Sequence, residues 1–261
     1  MTSAPERSPG ADDWDSHWSV YNDSAEQNPA QAWRRTLVFR AMNALPGARL
    51  IDVGSGQGDF ARDLATERPD LDIHGLELSA TGVAHASRKV PSASFHQIDL
   101  LAACETIGEL ESSGDVLVCT EVLEHLDDPA TLLRHALRYA KPGAQVIVTV
   151  PAGPRTAFDR YIGHRRHFTR ASLRELLGSV GLQVDSCDGA GFPFFNLYRL
   201  VVLARGKRLI QDVAAQAAYG PTNRSAGAAL RVFEKLFTVN RSSGRFGWQL
   251  IATARVVEEP R

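Results

Sequence analysis

Between Arg49 and Val150 short apolar runs alternate with longer helical stretches, and this alternation restricts the fold more than any other feature of the chain. The strand-like runs are Arg49–Val53, Ile73–Leu78, a weaker one at 94–98, Asp115–Cys119 and Gln145–Val150. Helical patterns fill the intervals at about 59–67, 80–89 and 129–140. Strand, helix, strand in repetition implies parallel strands joined by right-handed crossovers, hence an α/β fold with a doubly wound sheet covered on both faces. After Val150 the pattern changes. Pro151 and Pro154 bracket a loop, a basic segment runs to Arg170, and a helix is predicted over 171–179, with Thr169 as N-cap and Gly181 past its end. Leu182–Cys187 reads as a further strand, 195–240 as helices interrupted at Gly220–Pro221, and Phe246–Val257 as a final strand. Ahead of the sheet, Trp33, Leu37, Val38, Met42 and Leu45 recur at helical spacing.

Composition narrows the class. With 44% apolar and 23% charged residues, 261 residues can bury a sizeable core without staples. Cys104, Cys119 and Cys187 are odd in number and widely spaced, which excludes a disulfide framework or a zinc site and suggests a reducing compartment. The polar N-terminus lacks the apolar run of a signal peptide, and no stretch approaches a transmembrane length, so the expected location is cytoplasmic. Charge is uneven. Between Asn196 and Phe246 nine Lys/Arg, among them Arg199, Arg205, Lys207 and Arg208, stand against two acids. Such a segment is a solvated face or a surface for an anionic ligand, acidic lipid or partner protein.

The segment LeuIleAspValGlySerGlyGlnGlyAspPhe (50–60) is a strand, a glycine-rich turn and a helix start. Gly54, Gly56 and Gly58 allow a tight turn and close backbone approach to a ligand. Glu77 ends the second strand, 23 residues after Gly54, where an acid can accept both hydroxyls of a ribose. Asp99 ends the third, and ValLeuValCysThrGluValLeuGluHisLeu (116–126) forms the fourth and its following loop.

With these four motifs in order, and LysProGlyAlaGlnValIleValThrValPro (141–151) behind them, the chain resembles the class I S-adenosylmethionine (SAM)-dependent methyltransferases. It is most similar to the small-molecule type that includes ubiquinone-biosynthesis O-methyltransferases. The resemblance covers about residues 49–187 and implies a Rossmann-like, seven-stranded, mostly parallel sheet in the order 3-2-1-4-5-7-6, strand seven antiparallel. It implies that Asp52 and Gly54–Gly58 hold the amino-acid portion of SAM and Glu77 the ribose, with Leu78 beside the adenine. Asp99 then meets the adenine amino group, Leu100 walls it, and Thr120 begins the loop beside the methionine moiety. The organisation that follows is a disordered tail (1–13), lid helices (14–45), a SAM-binding core (46–190), a helical insertion (191–245) and the last strand (246–257).

Methyl transfer to a hydroxyl needs alignment and removal of a proton. Glu121, Glu124 and His125 are spaced i, i+3, i+4 and would share a helical face, able to coordinate a divalent ion such as Mg2+, or to offer His125 as a base. E-x-x-E-H also resembles a metal-linked motif of ubiquinone-type O-methyltransferases. TyrIleGlyHisArgArgHisPheThr (161–169) resembles the G-H-x-R-R segment of bacterial methyltransferases acting on glycans or secondary metabolites. There His164 is a candidate base, Tyr161, Arg165 and Arg166 are candidate contacts to an anionic acceptor, and His167 packs or caps; the bland alternative is a surface loop whose arginines pair with nearby acids. Trp18, Tyr21, Trp33 and Arg34 are candidate lid residues, with Tyr21 a candidate acceptor contact. The insertion is expected to pack on the sheet, line an acceptor pocket, lie on a membrane surface or form a homodimer contact.

The loop after strand four lacks the Asp/Asn-Pro-Pro-aromatic motif of DNA amino-group methyltransferases and the overall charge is not basic, so no nucleic-acid partner is expected. A nicotinamide oxidoreductase would share the first two motifs only. The rival of another class is a non-catalytic SAM-binding regulatory or interaction module.

Overall fold

The computed structural model describes residues 13–15, 28–102, 106–219 and 224–257. The expected tail, Trp18, Tyr21, Cys104 and the Gly220–Pro221 interruption lie outside the described residues, apart from Asp13. Seven strands form one sheet: β1 (Arg49–Val53), β2 (Asp72–Glu77), β3 (Ser94–Gln97), β4 (Gly114–Thr120), β5 (Ala140–Pro151), β6 (Leu182–Ala190) and β7 (Gln249–Val256). Their order is β3-β2-β1-β4-β5-β7-β6. Pairing is parallel from β3 through β5, and β7 runs antiparallel to both its neighbours. The sheet is the one expected from the sequence.

Helices cover both faces. On one lie α1 (Pro29–Ala41) and α2 (Asp59–Glu67), with parts of α7 (Phe194–Tyr219) and α8 (Arg224–Phe237) packed beside them. α3 (Ala80–Lys89) adjoins α2, where a Cβ on Gly58 would fall 2.9 Å from that of Ala86. On the other face lie α4 (Pro129–Leu137) and α6 (Arg170–Ser179). The helices after β1 and β4 thus leave on opposite faces, which makes the carboxyl ends of these adjacent strands the topological switch point of the sheet.

Local sequence accounts for most boundaries. Asn28 caps α1, accepting from the Ala30 N–H at 2.9 Å, with Pro29 in the first turn. Thr169 caps α6 in a reciprocal box with Ser172. β3 gave the weakest apolar signal because it is the edge strand, with no fully buried residue.

Several boundaries differ from the apolar pattern. β5 begins at Ala140, five residues before Gln145, because Ala140 pairs with Gly114 across exposed residues. β4 correspondingly begins at Gly114, and α4 stops at Leu137, short of 140. β6 extends past Cys187 to Ala190, which pairs with Gln249. The last strand starts at Gln249, not Phe246, whose ring is 68% exposed in the preceding loop.

Trp33 is not a lid residue but core. Its ring lies 4.8 Å from that of Phe195 and 5.8 Å from that of Phe237, so α1 and the insertion bury one aromatic cluster against the sheet. Burying each ring of this size contributes about 1.5–3 kcal/mol.

Candidate active site

The turn after β1 is held by backbone. The N–H groups of Gly54 and Ser55 donate to the Leu76 carbonyl at 2.8 and 3.2 Å, tying the glycine turn to the end of β2. Gly54 has φ +71°, and a Cβ there would fall 2.5 Å from Val122 Cγ2, so only glycine lets the β1 and β4 loops approach this closely. Glu77 is buried and accepts from the N–H groups of Gly56 and Ser79, at 2.8 and 2.9 Å. It therefore ties the glycine turn to the start of α3. Asp52 is buried, and its Oδ2 has no hydrogen-bond partner among the described residues. Burial, reinforced by the charge of Glu77, pushes its carboxyl up to about 7. A buried carboxylate oxygen beside a glycine turn suits an ammonium group, and in that respect the residues fit the amino-acid end of SAM.

Leu78 is half-exposed beyond β2, and Asp99 accepts from the Leu101 N–H at 2.8 Å. Leu100 departs from its expected place. Its side chain packs in the core with Ile98 and Leu110, and its carbonyl lies 2.7 Å from His135 Nδ1. Residues 13–15 lie across the rim: Asp15 accepts from the Ser79 hydroxyl and the Thr81 N–H, and the Trp14 ring meets His125 edge-on at 4.9 Å.

The second cluster follows β4, beyond half-buried Thr120. Glu121 has φ +56°, a conformation non-glycine residues adopt only when their surroundings enforce it. Its carboxylate accepts from Thr149 Oγ1 (3.0 Å) and Gln249 Nε2 (2.6 Å) and pairs with Arg34 Nε at 3.2 Å. Those contacts turn it away from the face of Glu124 and His125, so the expected Glu121/Glu124/His125 triad does not form. The loop after β5 supplies the third donor instead. His164 stands with its ring 4.7 Å from that of His125 and its Nε2 3.9 Å from Glu124. Donor atoms of Glu124, His125 and His164 all lie within 4.8 Å of one another. Two imidazoles and one carboxylate form a set for a transition ion, whereas magnesium takes oxygen ligands and waters; the residues present do not fit Mg2+.

Burial and the nearby His125 hold the His164 imidazolium far below its ordinary range, down to about 2. Burial, with the charge of Glu121, raises the Glu124 carboxyl well above the usual carboxylate range. His164 Nδ1 lies 3.2 Å from His167 Nε2, and His167 Nδ1 lies 3.1 Å from the Gly153 carbonyl. Behind them is a pair the sequence reading missed. Arg199 holds Asp159 through two bonds of 2.8 and 2.6 Å, both side chains buried. Arg199 is thus no part of an outward field. Asp159 closes a capping box with Thr156 at the start of α5 (Ala157–Tyr161), a T-x-x-D signal legible in the sequence but attached to a helix of only five residues. Gln249 carried no signal, since it reaches Glu121 from the other end of the chain. Arg165 and Arg166 both turn onto Asp127, through its carboxylate and its carbonyl respectively, so the bland reading of this loop describes them. Tyr161 is half-buried at the end of α5.

A family model described as a methyltransferase domain matches residues 25–186, well over half of the chain. The chain belongs to the class I SAM-dependent methyltransferases. Among curated methyltransferases, the ubiquinone biosynthesis O-methyltransferase of Aeromonas salmonicida is 27% identical over 174 residues, 59% of this chain and 71% of that protein. The ubiquinone/menaquinone biosynthesis C-methyltransferase UbiE of Geotalea daltonii is 28% identical over 137 residues, 51% of this chain. The aligned region spans only 58% of that second relative. Among solved structures, Haemonchus contortus phosphoethanolamine N-methyltransferase 2, in complex with S-adenosyl-L-methionine, has a TM-score of 0.60 at 18% identity, over 95% of this chain and 61% of its own. The cyclase SpnF has a TM-score of 0.62 at 20% identity, over 94% and 95%. At such identities the likeness concerns the fold alone, and a cyclase among methyltransferases underlines that reaction and acceptor must be argued from the site.

Proposed function

We propose that this methyltransferase acts on a hydroxyl of a small molecule, with His125 as the base and His164 as the residue that positions it. The observation that supports this reading is the contact between His125, on the loop after β4, and His164, beyond β5, with β4 adjacent to the strand that carries the glycine turn. Bound SAM supplies a methyl group on a sulfonium, which leaves the protein to align the acceptor and take up its proton. Asp52 and the Gly54–Gly58 turn take the amino-acid end, Glu77 the ribose, and Leu78 with Asp99 the adenine. An imidazole is the side chain suited to proton uptake near neutral pH. His164, its basicity suppressed by burial, is a poor base and a good support: fixed by His167, it stacks edge-on to His125. Trp14 covers another side of His125 and limits water there. With Arg165 and Arg199 paired to carboxylates of the chain itself and Arg166 bonded to the Asp127 carbonyl, a neutral acceptor fits this site better than an anionic one. Relatives that methylate oxygen and relatives that methylate carbon both match the chain, and a base beside the acceptor favours oxygen.

The test is transfer from labelled SAM to a panel of phenols and sugar alcohols by the wild type and by His125→Gln. The substitution is expected to lower turnover at least about 100-fold with SAM affinity retained by calorimetry. Undiminished turnover would remove the base, and SAM binding with no transfer to any acceptor would favour the non-catalytic module.

A further inference from the structure

The first half of α7, Phe194 to Arg205, is apolar on both sides. Phe195, Arg199 and Val202 face inward, Phe195 against Trp33 and Phe237 and Arg199 onto Asp159. On the opposite side Leu197, Leu200 and Val201 form an i, i+3, i+4 stripe, exposed by 47, 46 and 42%. Only one of these two apolar sides is accounted for by the core. At the amino end of the stripe the rings of Phe192 and Phe246 stand 5.9 Å apart, both exposed. The loop carrying Phe246 is fixed there: Asn196 Nδ2 donates to the Phe246 carbonyl at 2.6 Å, and the Arg241 N–H donates to the Phe192 carbonyl at 3.0 Å. Exposed Arg241 and Arg245 therefore border the aromatic end, and exposed Arg205 borders the other. No acidic residue occurs in 190–211 or in 238–248.

We infer that this face docks on an anionic lipid surface, with the leucine stripe and the two phenylalanines at the acyl boundary and the arginines at the phosphates. Charge selects this occupant. A second copy seated on the same face would oppose two sets of arginines with no acid between them. A bilayer bearing acidic headgroups satisfies both the apolar stripe and its basic border. No described helix is long and apolar enough to cross a membrane, so the segment of α7 before the non-helical Gly206 would lie in the plane of the interface.

The experiment is sedimentation of the full chain with vesicles of phosphatidylcholine alone and of equal parts phosphatidylcholine and phosphatidylglycerol, at low and high salt. Binding is expected to the mixed vesicles only and to weaken with salt. Leu197→Gln/Leu200→Gln should lower it at least about tenfold, since exposed stripe residues lose acyl contact while the melting curve stays wild-type. Arg241→Ala/Arg245→Ala should lower it about fivefold for each arginine lost. Failure to sediment with the mixed vesicles at low salt would overturn the inference. So would undiminished binding of both variants. A dimer in light scattering that the leucine variant dissociates, without vesicle binding, would assign the face to a second copy instead.

Discussion

At Asp52 a single buried group would couple the proposed cofactor binding to pH. Its folded-state value of about 7 lies above the ordinary 3.8, because burial and then the charge of Glu77 disfavour the anion. The sign follows. The group's contribution to stability is complete below its unfolded value and is lost as pH rises through the folded one. A ligand ammonium favours the ionised form, so affinity for SAM should rise as pH increases through about 7, with up to one proton released on binding. Calorimetry in buffers of different ionisation enthalpy reads that proton directly. Asp52→Asn should abolish both the proton release and the pH slope, and a slope unchanged in that variant would assign the linkage elsewhere.

At the level of elements, the short helix α5 and the loop after it depend on one ion pair. Arg199 reaches down from α7 to Asp159, which also accepts from the Thr156 N–H at 2.6 Å. Burial opposes ionisation of Asp159, but the hydrogen bonds and charge of Arg199 outweigh it and hold the carboxyl well below its usual range. Removing one partner of a buried pair strands the other. Arg199→Ala is accordingly expected to cost about 3 kcal/mol of stability. Because the same loop carries His164 and His167, turnover should fall further than SAM affinity does. Urea denaturation alongside calorimetry separates the two effects, and a loss under about 1 kcal/mol would mean that water replaces the pair.

Over the whole molecule, the doubly wound sheet brings two chemically distinct regions to one rim: a glycine turn with acids at β1 and β2, and a histidine cluster beyond β4 and β5. Glu121 is anchored by Arg34 from α1, Thr149 from β5 and Gln249 from β7, so four distant parts of the chain meet at one carboxylate. With Glu121 used structurally, the proposed histidine base would remove the proton without magnesium. Chelation by EDTA should leave turnover within about twofold of its value in added Mg2+. A larger loss, restored by a transition ion and not by magnesium, would move the Glu124/His125/His164 set from positioning to metal binding.

The strands and the glycine turn were legible in the chain because their causes are local, while the sheet order followed from the family resemblance. Apolar runs of strand length, a glycine at φ +71° and an acid at each strand end are written within a few residues of one another. What the tertiary structure decided is the partnering of the acids and arginines. Spacing alone put Glu121 with Glu124 and His125, but a positive φ at Glu121 and three long-range partners turned it aside, and His164 took its place. Arg165 and Arg166 read as contacts to an anionic acceptor, and Arg199 as part of an outward basic field, until Asp127 and Asp159 came within reach. Local sequence fixes where backbone can bend and which runs must be buried, whereas a charge takes whichever opposite charge the fold brings nearest, and that pairing exists only once the chain has closed on itself.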